Sequence, residues 1–390
     1  MNILVLLLSS MLSLNIKAGD VVEIKQDLNL NGQEVMLPSN VTLSFKGGVI
    51  RNGILTGNDT KIECNSYAFD NICIQGTWNV PVIYSKWFKN LDYENSLKNV
   101  LALSSPNVYN KVIIEKSTYD VSVSRNSETC LEINSNTEIV LNGTIKLRAN
   151  DFPHYYILGT KGKNIVIRGT GSIIGDRYAH KGTTGEWGMG INVIKSEDVE
   201  IYGITVSECW GDCIYIGQKS KNVCVKKCYL SDSRRQGISV TSAENVVLKD
   251  LNITNIQGTS PEYAIDLEPN RGGQIGNVHI EDISASDCKG GILVFGNPVD
   301  APIGKVVIKN CTIKNTTKVP FRIERNRNVE ISRCNIVNFK SDLAIKCVGV
   351  DSVTIRKNTI TNGLFNIIPK KISDIDNISV SEYKYKNVRN

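Results

Sequence analysis

Proline, aromatic residues and clustered charge are scarce in this chain of 390 residues, which has 10 prolines and 7% aromatic side chains. The net charge is +6, yet no basic block occurs, so we expect no nucleic-acid partner. No Cys-x2-Cys pair or Cys/His cluster occurs, and a zinc site is therefore not expected. The composition is instead rich in Gly, Asn, Val and Ile, which favours many short strands joined by turns.

Only one long apolar run is present, from Ile3 to Leu14. Its length is typical of a signal peptide and is shorter than the roughly 20 residues that span a bilayer. We therefore predict a signal peptide over residues 1–18, no transmembrane segment, and a protein that is secreted, periplasmic or at the cell surface.

The 11 cysteines would suggest disulfides in an exported chain, but their positions follow an apolar pattern. Aligned repeats place Cys228, Cys311 and Cys334 in one column with Leu251 and Ile283. We expect the thiols to be mostly free and these three to act as small buried hydrophobic groups.

Residues 19–90 contain short apolar stretches separated by Gly and Asn turns, and we predict that they form an N-terminal β-rich cap. From Asp92 to Leu103 apolar residues then recur at helical spacing. We predict a short capping helix there, at the start of a main domain over residues 91–390, because stacked repeats need a cover at an open apolar end.

Beyond residue 112 a short apolar motif recurs at intervals of 23 to 34 residues. The repeats contain several β-branched runs, no helical segment and no regular Leu-x-x-Leu-x-Leu signature, which predicts an all-β solenoid, a parallel β-helix. Asparagines head most repeats and are expected to stack as a structural ladder. The repeats start at Asn136, Asn164, Asp198, Asn222, Asn245, Asn277, Lys305, Asn328, Ser352 and Asn377.

Three successive repeats between Trp210 and Glu268 share one pattern. Side chains alternate along a strand, so Tyr215, Ser239 and Asp266 are predicted to form an outward polar row. The coils on either side are long, with 34 and 32 residues. Because insertions in a solenoid become loops on one face, we predict that these loops wall a groove for a polysaccharide or oligosaccharide.

The same stretch resembles a known family. Residues 211–217, Gly-Asp-Cys-Ile-Tyr-Ile-Gly, are similar to the Gly-Asp-Asp-Cys-Ile-x-Ile segment of polygalacturonases, and residues 236–240 stand where that family has Gly-His-Gly-Ile-Ser. Phe321-Arg-Ile-Glu324 follows downstream, as the family's Arg-Ile-Lys does. The resemblance covers about residues 90 to 385 and implies a single-stranded right-handed parallel β-helix of the pectate-lyase-like superfamily.

The catalytic motif of that family is degenerate here. Of its three aspartates only Asp212 is present, and Asn192 lies on the coil that would supply another. The family's histidine and lysine correspond to Gln236 and Glu324. A pectin-hydrolase mechanism is therefore not carried over intact.

A hydrolase would need a rebuilt pair of carboxyl groups at a defined separation. Asp212 and Asp266 lie two coils apart and Glu268 is the next outward residue, so these three are the predicted catalytic residues of an enzyme that cleaves a polysaccharide. Ion pairing between these acids and nearby arginines is the alternative. The predicted substrate-binding residues are Glu186, Trp187, Tyr215, Arg234, Arg235, Gln236, Ser239, Tyr263 and Arg322.

Two other functions stay open. A polysaccharide lyase or uronate epimerase would need a base, for which His180 is available, although a lone histidine in a Gly/Thr loop is more typical of a solvated surface residue. No cofactor is predicted, with Ca2+ on the three acids as the alternative, without support from a calcium-loop spacing. The missing aspartates also allow a non-catalytic glycan-binding or tailspike-like structural protein.

Overall fold

Short β-strands make up almost all of the regular structure in the computed structural model of the chain. The structure describes residues 3–5, 16–89, 93–297, 300–326, 328–350, 352–361, 364–369, 378–381 and 384–386. Within these residues there is one α-helix, α1, which runs Tyr93–Ala102. The strands are β1 Ile3–Val5, β2 Val21–Ile24, β3 Leu28–Asn29, β4 Glu34–Met36, β5 Thr42–Phe45, β6 Ile50–Glu63, β7 Phe69–Trp78, β8 Val82–Tyr84, β9 Phe88–Lys89, β10 Asn110–Ile114, β11 Thr118–Val121, β12 Thr129–Ile133, β13 Thr137–Leu141, β14 Thr144–Leu147, β15 His154–Gly169, β16 Ser172–Ile174, β17 Trp187–Tyr202, β18 Thr205–Ser207, β19 Ile214–Gly217, β20 Ser220–Lys226, β21 Tyr229–Ser231, β22 Ile238–Val240, β23 Ala243–Thr254, β24 Tyr263–Leu267, β25 Val278–Ser286, β26 Gly290–Phe295, β27 Lys305–Lys309, β28 Thr312–Lys314, β29 Phe321–Glu324, β30 Asn328–Ser332, β31 Asn335–Val337, β32 Leu343–Val350, β33 Val353–Arg356, β34 Thr359–Thr361, β35 Leu364–Pro369, β36 Ile378–Ser381 and β37 Lys384–Lys386.

The contacts divide the chain into two units, and each is described by itself. The N-terminal unit comprises residues 1–121, 131–146 and 164–171. In it β10 pairs in parallel with β13, and β13 pairs in parallel with residues 165–169 of β15. Helix α1 contacts β7, β9 and β11 and buries Leu97, Val100 and Leu101, as the helical spacing predicted.

The C-terminal unit comprises residues 122–130, 147–163 and 172–390. Its strands stack in parallel, so that each coil of the solenoid adds one strand to each sheet. One column consists of Ile191, Ile214, Ile238, Ile265 and Ile292, which pair in that order and are 0% exposed. The repeated apolar position of the sequence thus lies in the core of the solenoid, because successive coils place an apolar residue inward there. The predicted parallel β-helix is confirmed.

Side chains in the turns also stack as the repeats predicted. Asn245 donates from Nδ2 to Oδ1 of Asn222 at 3.1 Å, and Asn222 donates to Asp198 at 2.9 Å. These three residues have φ values of 53 to 56°, a left-handed conformation that Asn and Asp tolerate better than most residues. The amide ladder therefore serves the fold rather than a ligand.

The cysteines are free in the structure, and Cys228, Cys311 and Cys334 are buried. The registers place Cys228 beside Leu251, and Ile283 beside Cys311 and then Cys334. These thiols therefore pack as small apolar groups.

Some predictions concern residues that the structure does not describe or features that it does not test. Most of the predicted signal peptide and the repeat start at Asn377 lie outside the described residues. The predicted domain boundary near residue 90 stays a prediction. Among the residues that the structure describes, no helix has the length and apolar character needed to cross a membrane.

Candidate functional site

Within the C-terminal unit, the residues of the predicted polar row are aligned on successive coils. Tyr215 pairs with Ser239, and Ser239 pairs with Asp266 on the following coil. Ser239 and Asp266 are only 1% and 2% exposed. The expectation of an open wall is therefore wrong at these two positions, because their polar groups are engaged by neighbouring side chains.

Asp212 lies in the turn before β19 and is 0% exposed. Its Oδ2 accepts a hydrogen bond from Oγ of Ser239 at 2.7 Å, and Nη1 of Arg235 lies 3.3 Å from the same oxygen. Burial raises the pKa of Asp212, whereas Arg235 and Ser239 act in the opposite direction because they stabilise the carboxylate. The side chain thus reaches from its own coil onto the next one.

Asp266 reaches back to that same coil from the other side. Its Oδ2 accepts a hydrogen bond from Nε2 of Gln236 at 2.8 Å, while Oε1 of Gln236 accepts one from the backbone N–H of Tyr263 at 2.7 Å. Burial raises the pKa of Asp266 well above its ordinary value, and the nearby Glu268 adds to the rise. Gln236, which stands at the position of the family's histidine, therefore holds a carboxyl group.

Arg235 connects this cluster to the surface. Its side chain is 17% exposed, and its Nε lies 3.5 Å from Oε2 of Glu186, whose side chain is 47% exposed. Its charge also lowers the pKa of both Asp212 and Asp266. We call Asp212, Arg235, Gln236, Ser239 and Asp266 the acidic cluster.

Arg234 turns away from the acidic cluster although it is adjacent in sequence. Its Nε donates to the carbonyl oxygen of Trp210 at 2.8 Å, and its two Nη groups donate to Thr259 and to the carbonyl oxygen of Gly185. The guanidinium carbon lies 3.7 Å from the centre of the Trp210 ring. Arg234 therefore ties the two inserted loops together, which leaves its donors engaged inside the protein.

His180 is buried, so its interpretation as a solvated surface residue is wrong. Its side chain is 0% exposed, its Nδ1 lies 2.8 Å from Oδ2 of Asp176, and its ring stacks on Trp210 at 4.0 Å. The hydroxyl of Tyr155 donates to the other oxygen of Asp176. Sequence reasoning missed Asp176 and Tyr155, for which the only signal was an acidic residue four positions before a lone histidine.

The other predicted residues differ in their exposure and in their contacts. The hydroxyls of Tyr215 and Thr241 are 2.7 Å apart, Trp187 is 48% exposed, and Tyr263 is buried. Arg322 donates from Nε to Glu324 at 2.8 Å. Glu268 lines a separate cavity of about 250 Å3 together with Arg271, Phe295, Asp300 and Arg325.

Three polar groups near the row have no hydrogen-bond partner among the described residues. They are the Oδ1 of Asp266, the Nε of Arg235, and both amide atoms of Asn192, which is 1% exposed and pairs in register with Tyr215. A buried polar group without a partner is costly. Where the structure describes the chain, no three His, Cys, Asp or Glu side chains converge as a metal site would require.

The fold and the cluster define a parallel β-helix protein with buried carboxyl groups under a partly exposed arginine. Residues 263–389 match the Beta_helix family, described as a right-handed β-helix region. The fold is also that of an alginate lyase from Paenibacillus sp. str. FPU-7, with a TM-score of 0.52, 12% identity, and coverage of 77% of this chain and 99% of the lyase. The chain thus has the fold of a right-handed parallel β-helix protein.

Two curated relatives come from Bacillus subtilis strain 168. The SPbeta prophage-derived uncharacterized protein YorA is 30% identical over 259 residues, which are 60% of this chain and 42% of YorA. The uncharacterized protein YclG is 32% identical over 127 residues, which are 28% of this chain and 22% of YclG. The chain therefore spans less than half the length of either relative.

Proposed function

We propose that this protein acts on a polysaccharide outside the cell and hydrolyses a glycosidic bond at the acidic cluster. The observation that carries the proposal is that two buried carboxyl groups, Asp212 and Asp266, converge on one coil around Arg235. Paired carboxyl groups in different environments are what glycoside hydrolysis requires, because one donates a proton while the other acts as a base or nucleophile.

The contacts of the two carboxyl groups support this role. Coils of the solenoid are about 4.8 Å apart, so aligned residues two coils apart are separated by about 9.6 Å at the backbone. Asp212 and Asp266 are in addition offset along the strands, because Asp212 precedes Ile214 whereas Asp266 follows Ile265 in the same column. Asp212 and Asp266 both reach the intervening coil, at Ser239 and Gln236 respectively. The two carboxyl groups therefore both contact the coil between them, as a pair that acts on one glycosidic bond would need to do.

Their environments suggest which is the acid. Asp266 has its pKa raised by burial and by Glu268, which favours a protonated group that can donate to the leaving oxygen. Asp212 accepts from Ser239 and lies against Arg235, which stabilise its ionised form. We assign Asp266 as the general acid. Asp212 is then the carboxylate that acts as base or nucleophile on the opposite side of the glycosidic bond.

Substrate must displace part of the cover over the cluster. Asp212 and Asp266 are at most 2% exposed, whereas Arg235 and Glu186 are partly exposed and their contact is long, at 3.5 Å. We expect a bound sugar to replace the Glu186 contact of Arg235, because Nε of Arg235 has no hydrogen-bond partner among the described residues. Oδ1 of Asp266 then becomes available for a sugar oxygen.

A glycan-binding protein without turnover is the second candidate. The burial of both carboxyl groups and their internal hydrogen bonds favour it, since such contacts also occur in purely structural clusters.

Incubation of the purified protein with acidic and neutral glycans distinguishes these functions. We expect new reducing ends without the ultraviolet absorbance of unsaturated uronates. That absorbance would indicate elimination instead, and binding without either product after long incubation would favour the second candidate.

A further inference from the structure

A group of aromatic rings lies on the C-terminal unit beside the acidic cluster. Trp187 is 48% exposed, and the centre of its ring is 5.5 Å from that of His154. The ring of Tyr156 is 5.1 Å from that of His154 in an edge-to-face arrangement, and Nε2 of His154 is hydrogen-bonded to the Tyr156 hydroxyl. His154 therefore lies next to both aromatic side chains.

This group is continuous with the acidic cluster. Trp187 directly follows Glu186, whose carboxylate contacts Arg235 at 3.5 Å. Burial raises the pKa of Tyr156 to about 12, and the nearby Glu128 and Tyr215 contribute to the rise. Tyr215 in turn pairs in register with Ser239. A ligand in the acidic cluster thus meets the rings as it extends toward earlier coils.

Two exposed carboxylates lie close to the rings. Glu128 is 63% exposed and lies 3.3 Å from Nδ1 of His154, and Glu186 on the side of the acidic cluster is 47% exposed. Carboxylates accept hydrogen bonds from sugar hydroxyls but repel a uronate or sulfate group. An aromatic face offers apolar area to the C–H face of a sugar ring.

We propose that Trp187, His154, Tyr156 and Glu128 form a subsite for one uncharged sugar ring of the substrate. The ring stacks on Trp187, and its hydroxyl groups donate to Glu128. The proposal rests on the proposed action on a polysaccharide and adds the charge of the sugar that this subsite accepts.

Other exposed aromatic side chains of this unit have different surroundings. Tyr178 and Tyr229 are 65% and 42% exposed, but Tyr178 lies over Arg177 and the Tyr229 hydroxyl is bonded to Thr254. Neither contacts the acidic cluster in the structure, which makes Tyr229 a matched control for an exposed aromatic side chain of the same unit.

The test measures the dissociation constants of neutral and uronate hexasaccharides by calorimetry. For the neutral sugar that the wild type binds, we expect Trp187→Ala to weaken binding about tenfold, as loss of about 1.4 kcal/mol of stacking implies. Tyr229→Ala should leave it unchanged. Glu128→Gln should raise the relative affinity for uronate chains several-fold, because it removes the repulsion. Equal effects of Trp187→Ala and Tyr229→Ala, or tighter uronate than neutral binding by the wild type, would overturn the proposal.

Failure of the subsite and failure of the proposed function give different results. If the wild type turns over a glycan and Trp187→Ala changes neither its KM nor its binding, the subsite is refuted while the function stands. If the wild type neither binds nor cleaves any glycan, both are refuted.

Discussion

Arg235→Gln tests whether the acidic cluster is held together by charge. Asp212 is 0% exposed, and the variant removes the cation that lies 3.3 Å from it, which leaves a buried carboxylate with Ser239 as its remaining side-chain donor. Breaking a buried ion pair costs about 3–5 kcal/mol, and the lower end applies because Arg235 is itself 17% exposed. We therefore expect a loss of about 3 kcal/mol in the free energy of unfolding at neutral pH.

The stability loss of Arg235→Gln should change with pH in a defined direction. Burial already raises the pKa of Asp212, and removal of Arg235 raises it further, because the arginine opposes the rise. When the pKa of a carboxyl group is higher in the folded than in the unfolded state, the folded protein becomes less stable as pH rises from the unfolded pKa to the folded pKa. The deficit of Arg235→Gln should therefore grow from mildly acidic to neutral pH.

Urea denaturation followed by circular dichroism measures these effects. Arg356→Gln is the matched control, since Arg356 pairs with Glu330 at 2.6 Å but is 51% exposed, and we expect it to cost less than about 1 kcal/mol. The double variant Asp212→Asn/Arg235→Gln should recover most of the loss. A deficit of Arg235→Gln no larger than that of Arg356→Gln, or one that shrinks as pH rises, would refute the reasoning.

Further variants test neighbouring contacts. Ser239→Ala should cost about 1.5–3 kcal/mol in urea denaturation at neutral pH, because it removes a hydrogen bond to the buried Asp212 carboxylate, and a loss below about 0.5 kcal/mol would contradict this. Asp266→Asn should become more stable relative to the wild type as pH rises toward neutral, since the raised pKa of Asp266 penalises the ionised form, whereas a difference independent of pH would count against it. Gly290→Ala should lower the melting temperature, because a Cβ there overlaps the buried Tyr263 ring, and an unchanged value would show that the ring can move. Dithiothreitol should leave the melting temperature unchanged, since the thiols are free, and a decrease would reveal a disulfide.

The sequence predicted the solenoid well because its information is repeated. An isoleucine recurs at positions 214, 238 and 265 of three successive coils, so the register of Tyr215, Ser239 and Asp266 follows from alternation alone. The same repetition made the cysteine column and the Asn ladder predictable. A residue with a structural role recurs in successive coils, whereas a residue that contacts a ligand need not.

The environment of single side chains was much harder to predict. Arg234 and Arg235 are adjacent, yet one supports the inserted loops and the other contacts Asp212, a difference set by loop conformation. The burial of His180 depends on stacking against Trp210 and on Asp176, contacts that no repeat pattern encodes. The burial of Asp266 likewise depends on the long side chain of Gln236 from the neighbouring coil.

The central claim is that Asp212 and Asp266 perform chemistry on a bound glycan. Its most direct test is the measurement of turnover and glycan binding in Asp212→Asn and Asp266→Asn, with Glu330→Gln as a control for removal of a carboxylate elsewhere in the unit. We expect kcat to fall at least about 100-fold in both cluster variants, while glycan affinity stays within about threefold and the control is unaffected. Turnover that persists in both cluster variants would contradict it.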